Sequence, residues 1–135
     1  MKILILLTST LLLTGCFNND DTPAQNTSSV QLGQATFEKN CATCHGKQGQ
    51  GLTKDWKKRQ ANGMFPAPPV NGEAHAWHHS PETLMNTINN GGAKLGGWMP
   101  GFKDSLNSAE KQALLDYMYS LWPKDIQTKY SARFK

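Results

Sequence analysis

The chain has 135 residues, with 14 lysines and arginines against 10 aspartates and glutamates, so its formal net charge at pH 7 is +4. This length allows one small domain rather than several. The modest positive charge does not indicate a nucleic-acid partner, because the clustered basic residues are hardly interleaved with aromatic ones.

The N-terminus has the layout of an export signal. Lys2 precedes an apolar stretch from Ile3 to Leu13, which is shorter than the about 20 residues that a transmembrane helix needs. The run Leu13-Thr14-Gly15-Cys16 resembles the lipobox of bacterial lipoproteins. This resemblance implies a signal peptide over residues 1–15, lipidation of Cys16 and a lipid anchor in a bacterial membrane, with the chain facing the periplasm or the cell exterior. The alternative is an ordinary secretory signal that happens to contain a cysteine.

Residues 16–29 are rich in Asn, Asp, Thr and Ser and have no apolar periodicity, so they are predicted to form a flexible tether. A first helix is predicted from about Gln31 to Cys41, with Ser28 or Ser29 as its cap. Helical spacing places three residues on its inward face, namely Leu32, Thr36 and Phe37.

The most specific motif is Cys41-Ala42-Thr43-Cys44-His45, which has the residue order of a c-type haem attachment site. Each cysteine sulfur can add to one porphyrin vinyl group, and two intervening residues let a single turn of chain span both vinyls. His45 then lies under the iron and can supply a neutral ring nitrogen as an axial ligand. With Cys16 lipidated and Cys41 and Cys44 bound to haem, no cysteine of the chain is left for a disulfide.

Two further helices are predicted towards the C-terminus. One begins with Ser80 as cap and Pro81 at the first helical position, and it ends near Asn89 before a Gly-Gly pair. The other begins at Asn107, which forms a capping-box pattern with Glu110, although Ser108 could also cap. Pro123 ends it, after apolar residues at helical spacing: Leu114, Leu115, Met118, Leu121 and Trp122.

The intervening segments are long, rich in Gly and Pro and without strand-like alternation, which favours loops organised by a cofactor. After Pro123, residues 124–135 form a basic tail with Ile126, Tyr130 and Phe134 at four-residue spacing. A short amphipathic helix is predicted there, and two roles stay open: packing on the domain or contacting a partner.

A second axial ligand is expected among the methionines that follow the signal, because a thioether raises the reduction potential of an electron carrier. Met118 and Met85 lie in predicted helices, where core packing suits them, and Met64 lies in a loop. Met99 precedes a proline in a glycine-rich loop, which would present its sulfur on a rigid segment. We therefore favour Met99.

Residues from about Val30 to Pro123 resemble the class I cytochrome c family. The haem motif and the distal loop Met99-Pro100-Gly101-Phe102 are its strongest signals. Weaker signals are a Gly/aromatic pair in the first helix, Gly33 and Phe37, and its partners in the last helix, Leu114 and Tyr117. Two loop segments add to them: the glycines after the haem motif, namely Gly46, Gly49 and Gly51, and a proline loop from Pro68 to Gly72.

The resemblance implies an all-α fold over residues 30–123, with about three main helices and long loops around one covalent haem c. It implies an iron closed by His45 and Met99, and a Pro68 carbonyl that accepts a hydrogen bond from the His45 ring, with Pro66 as a competitor. An iron closed on both faces has no site for substrate, so the expected function is to carry single electrons between protein redox partners, not catalysis. The alternative is a haem protein with an open or labile distal site, a peroxidase-like enzyme or gas sensor.

Three histidines near the second helix, His75, His78 and His79, raise the hypothesis of a further metal site, because imidazoles suit copper. We favour helix capping and loop packing instead, since no acidic or sulfur ligand accompanies them. A zinc set drawn from two of these histidines and the two motif cysteines needs a gap of thirty residues, far beyond the usual about 12 to 15. A thioredoxin-like cysteine pair would follow a strand, and none is predicted.

A basic cluster follows the haem motif and consists of Lys54, Lys57, Lys58 and Arg59. It could form a positive rim that attracts an acidic redox partner. It could equally be a solvated loop, as charge runs usually are.

Overall fold

The structure is a computed structural model that describes residues 23–134, and this part of the chain contains helices and loops but no strand. The predicted all-α architecture is confirmed. Five α-helices are formed: α1 (Pro23–Asn40), α2 (Ala42–His45), α3 (Pro81–Asn90), α4 (Ser108–Leu121) and α5 (Lys124–Phe134). Two 3-10 turns, Ala76–His78 and Ala93–Leu95, interrupt the loops. The predicted signal peptide and Cys16 lie outside the described residues.

The core is built where α1 crosses α4. Gly33 lies directly against the Ala113 backbone, and the Phe37 and Tyr117 rings pack with their centroids 5.4 Å apart. This is the helix contact that the Gly33/Phe37 and Leu114/Tyr117 pairs predict. The buried cluster at this crossing comprises Phe37, Ile88, Leu106, Leu114 and Tyr117.

Helix α1 begins at Pro23, eight residues before the predicted start, so residues 23–29 of the predicted tether are helical. Ser29 is not a cap: its hydroxyl donates to Asp116 Oδ2 of α4 at 2.5 Å. This contact with α4, which local sequence patterns do not reveal, ties the first turns of α1 to the domain. The predicted inward position of Leu32 is also wrong, since its side chain is 42% exposed, whereas Thr36 and Phe37 are buried.

Helix α3 has the predicted start and end. The Ser80 hydroxyl accepts from the Thr83 backbone N–H, and Pro81 occupies the first turn, where its missing N–H costs no hydrogen bond. The helix ends at Asn90 and is followed by Gly91, whose φ of 79° is readily adopted only by glycine.

Helix α4 begins with the predicted capping box. The Asn107 side chain accepts from the Glu110 N–H, and the Glu110 carboxylate accepts from the Asn107 N–H, both at 2.9 Å. Of its apolar stripe, Leu114, Met118 and Trp122 are buried.

We expect the Asn107→Ala substitution to lower the free energy of unfolding by about 1 kcal/mol, because the Glu110 N–H in the first turn of α4 loses its side-chain acceptor. Chemical denaturation of the haem-loaded protein measures the change. Gln60→Ala, at an exposed loop position, is the control and should change stability by less than about 0.5 kcal/mol. Equal effects of the two substitutions would contradict the capping role.

The C-terminal tail is a helix that packs on the domain. Tyr130 of α5 is only 5% exposed, and its ring lies 4.8 Å from that of Trp122 and 6.0 Å from that of Tyr119, centroid to centroid. Of the two roles left open for the tail, packing on the domain is therefore observed. Within residues 23–134, no helix is long and apolar enough to cross a membrane.

Candidate haem-binding site

The two motif cysteines lie within a single turn of chain. The Cys41 carbonyl, at the end of α1, accepts from the N–H groups of Cys44 and His45 at 3.1 and 2.9 Å. Both thiols are half-buried and free of disulfide bonds. This compact turn suits attachment to two neighbouring vinyl groups of one porphyrin.

The His45 ring is held by the proline loop, Pro68–Gly72. Its Nδ1 lies 2.8 Å from the Pro68 carbonyl oxygen. Because a carbonyl can only accept, Nδ1 carries the proton and Nε2 keeps its lone pair. Burial lowers the pKa of His45, and the hydrogen bond to Pro68 opposes that shift only in part. The ring therefore stays neutral and ready to bind a metal through Nε2. The Pro68 hydrogen bond implied by the resemblance is present, and it is made by Pro68 rather than by Pro66.

Glycines after the haem motif let the chain turn back towards the proline loop. The Gly51 N–H donates to the His45 carbonyl, and the Gly49 carbonyl accepts from the Val70 N–H, both at 2.6 Å. Gly49 has a φ of 70°, and a Cβ there would lie 2.9 Å from Val70 Cγ2. Glycine is thus required both by conformation and by close approach.

Met99 lies in a loop anchored on the end of α3. The Gly92 N–H donates to the Met99 carbonyl at 3.0 Å, and a Cβ at Gly91 would collide with the same oxygen. Met99 and Cys41 both pack, partly buried, against the same core cluster.

The other methionines have different surroundings. Met118 is buried in α4, Met85 lies on α3, and Met64 is in a loop and 40% exposed. Among these four, Met99 alone is a loop methionine packed against the core cluster. The donor set of two free thiols, one neutral imidazole with an available Nε2 and one loop thioether therefore fits haem c.

The structure does not favour the thiol-redox or zinc alternatives. Burial, and to a smaller extent the neighbouring Cys44, raise the pKa of Cys41 to about 11, whereas a thioredoxin-like nucleophile needs a lowered pKa. Among residues 23–134, no group of three or more His, Cys, Asp or Glu side chains could hold a metal ion. The zinc set that the sequence already disfavoured is therefore not assembled.

The histidine metal site is likewise not formed in this part of the chain. The His75 ring stacks on Trp56 at 5.3 Å and meets His79 edge-on at 5.4 Å, while His78 lies 3.8 Å from the Trp77 ring. Two of the three rings thus pack against indoles and the third against His75, and they form no group that could hold a metal ion. The pKa of His75 is lowered, chiefly by burial and further by the neighbouring imidazoles and Lys57.

The basic cluster lies on an exposed loop. Lys54, Lys57, Lys58 and Arg59 are all exposed to solvent. The Arg59 guanidinium stacks 4.2 Å from the Phe65 ring and donates to the Gly63 carbonyl at 2.6 Å, so one of the four charges is fixed in place.

One contact near the site was not predicted. The Trp122 Nε1–H donates to the Val70 carbonyl oxygen in the proline loop at 2.8 Å, across 52 positions of sequence. The apolar stripe of α4 indicates only that Trp122 is buried. No local pattern identifies the acceptor.

The fold and the site together define a class I monohaem cytochrome c. Two helices cross at a glycine, a single turn carries the haem attachment motif, the proline loop holds the histidine ring, and a later loop carries the methionine. The family model described as "Cytochrome C oxidase, cbb3-type, subunit III" matches residues 28–118, and the chain belongs to this family. It is therefore an electron-transfer haem protein, with one covalent haem c for its single attachment motif.

Curated relatives are subunits of larger redox complexes. The chain is 31% identical over 101 residues to the cbb3-type cytochrome c oxidase subunit FixP of Azorhizobium caulinodans, and 32% identical over 94 residues to subunit CcoP of Azospirillum brasilense. These matches cover 75% and 69% of this chain but 28% of each relative. The cytochrome c subunit of a quinone alcohol dehydrogenase from Gluconacetobacter polyoxogenes is 30% identical, over 72% of this chain and 20% of the relative. The chain thus spans less than a third of their length. No solved structure gives a significant match.

Proposed function

We propose that this protein is a lipid-anchored monohaem cytochrome that carries single electrons between protein partners outside the cytoplasm and is not an enzyme. The observation that carries the proposal is the His45 ring, whose Nδ1 is held by the Pro68 carbonyl so that Nε2 keeps its lone pair, combined with a loop methionine, Met99, that packs against the same core cluster as Cys41. A histidine and a methionine that occupy both axial positions leave no open coordination site, which suits electron transfer.

The absorption spectrum tests this proposal. The protein is expressed with haem-attachment machinery, and ferric and ferrous spectra are recorded before and after addition of carbon monoxide. A c-type ferrous spectrum, a weak far-red ferric band from the methionine–iron bond and slow or absent carbon monoxide binding are expected. Rapid, tight carbon monoxide binding would instead favour an open-iron enzyme or sensor.

Lipid attachment at Cys16 is proposed from the lipobox-like sequence Leu13-Thr14-Gly15-Cys16 and from the need for c-type haem to be attached outside the bacterial cytoplasm. Residues 17–22 would then separate the lipid from the start of α1, a shorter link than the predicted tether. The anchor would keep the haem domain close to the membrane surface.

We expect Cys16→Ser to move most of the protein from the membrane fraction to the soluble fraction, because a diacylated cysteine contributes about 0.8 kcal/mol per buried CH₂. Fractionation of expressing cells, followed by haem staining, measures the distribution. Wild-type membranes washed in high salt are the control, since a merely electrostatic association would be lost there. A Cys16→Ser protein that stays in salt-washed membranes would contradict the anchor.

The partner surface is proposed to include the basic cluster. Its four exposed charges suit a partner with an acidic docking face and would speed encounter at low ionic strength. The relatives belong to redox complexes, which supports protein partners in general.

A further inference from the structure

The indole of Trp122 contacts the segment that holds the axial histidine. Trp122 follows the last residue of α4, is 4% exposed, and donates its Nε1–H to the Val70 carbonyl. Val70 comes two residues after Pro68, whose carbonyl accepts from His45 Nδ1. The end of α4 is thus linked to the iron-facing imidazole through two hydrogen bonds and three residues of backbone.

That short backbone is stiff. Pro69 stands between the two carbonyl groups, and its ring restricts φ. The Val70 N–H also donates to Gly49 at 2.6 Å, so hydrogen bonds restrain the peptide units on both sides of Val70. Because only Pro69 and Val70 lie between the two carbonyl groups, we expect a displacement of the Val70 carbonyl to be transmitted to the Pro68 carbonyl.

Helix α5 restrains the indole itself. The Tyr130 ring meets the Trp122 ring at 4.8 Å and an interplanar angle of 69°. The Gln127 side-chain amide donates to the Trp122 carbonyl at 2.9 Å. Close packing extends to the other end of the proline loop, where a Cβ on Gly72 would lie 2.8 Å from Pro123 Cδ. The tail helix thus belongs to the support of the proline loop.

We propose that Trp122, held by α5, is a positioning residue that sets the strength of the hydrogen bond from His45 to Pro68 and thereby the reduction potential of the haem. A hydrogen bond on the remote ring nitrogen makes the imidazole a better electron donor, which favours ferric over ferrous iron. Weakening that bond therefore raises the potential. The inference rests on the proposed function, because it takes His45 as the iron ligand.

Trp122→Phe in the haem-loaded full chain tests the inference, because it removes the N–H and keeps an aromatic ring against Tyr130. We expect the equilibrium constant for one-electron reduction to rise about tenfold, which equals the lower end of the change in metal affinity or activity that follows loss of an outer hydrogen-bond partner. That change is about 59 mV for one electron in spectroelectrochemical titration. In ferrous protein, the His45 Nδ1–H resonance should move upfield and exchange faster with solvent.

Tyr119→Phe is the matched control. It removes a hydroxyl that contacts the Ser131 hydroxyl at 2.9 Å and the Gln127 carbonyl at 3.5 Å across the same α4–α5 contact. The aromatic ring against Trp122 and the Trp122 hydrogen bond to Val70 both stay in place. The potential and the His45 resonance should stay at their wild-type values. Equal shifts in both variants, or none in Trp122→Phe, would overturn the inference.

Failure of the inference is distinguishable from failure of the proposed function, since the latter would already show as an abnormal wild-type spectrum. If Trp122→Phe yields no haem-loaded protein, the potential of Tyr130→Leu is measured instead, because this substitution loosens the packing around the indole without removing its N–H. A smaller rise of the potential supports the inference in that case, and an unchanged potential overturns it.

Discussion

Replacing Met99 with alanine is expected to abolish the weak far-red band of the ferric protein and to lower the reduction potential, while the haem stays covalently attached. A thioether stabilises ferrous iron, and its loss leaves water or nothing in that position. We expect a fall of about 0.2 V, a moderate part of the range of about 0.8 V that axial ligands cover. Absorption spectroscopy and a redox titration measure both effects.

The control for Met99→Ala is Met64→Ala, which removes another loop methionine, one that is 40% exposed. It should leave the far-red band and the potential unchanged. Carbon monoxide should bind rapidly to ferrous Met99→Ala and slowly, if at all, to the control. If the band were lost in Met64→Ala and retained in Met99→Ala, the distal ligand would be Met64, and the assignment of Met99 would be wrong.

The Gly33→Ala substitution should destabilise the domain strongly, because a Cβ at this position overlaps the Ala113 carbonyl and lies 2.7 Å from Tyr117 Cβ. These atoms cannot move aside unless α4 shifts as a whole. Such overpacking costs about 3 kcal/mol, and the better helix propensity of alanine returns about 1 kcal/mol. The free energy of unfolding should therefore fall by about 2 kcal/mol, a large share of the about 5–15 kcal/mol typical of a domain.

Chemical denaturation of the haem-loaded proteins measures this change. Gln34→Ala, at the next and exposed position of α1, is the control and loses only a side-chain bond to Glu38, worth about 0.3 kcal/mol. If Gly33→Ala were as stable as Gln34→Ala, the two helices would not cross as closely as the structure shows.

Much of the site could be predicted from short segments, because its chemistry is local. The haem turn, the caps at Ser80 and Asn107 and the glycine after α3 each depend on residues at most a few positions apart. Met99 could be preferred over Met85 and Met118 because its loop and the following proline exclude a helical role. The helix pairs of the core were predictable only through resemblance to a known family.

Sequence patterns failed where distant segments decide the outcome. The early start of α1 accompanies a contact between Ser29 and Asp116, and Leu32 is exposed although its spacing places it inward. For the three histidines the sequence correctly favoured loop packing over a metal site, but it did not identify the partners, Trp56 for His75 and Trp77 for His78. Composition and spacing carry no information about such pairings.

By itself, the sequence determined the cofactor and the attachment turn, since covalent haem chemistry demands particular residue types at fixed short spacing, and it predicted the axial ligands. Only the tertiary structure decided that the tail packs on the domain and that Trp122 reaches the proline loop. The reason is physical: a hydrogen bond across 52 positions forms only when helix packing brings its two ends together.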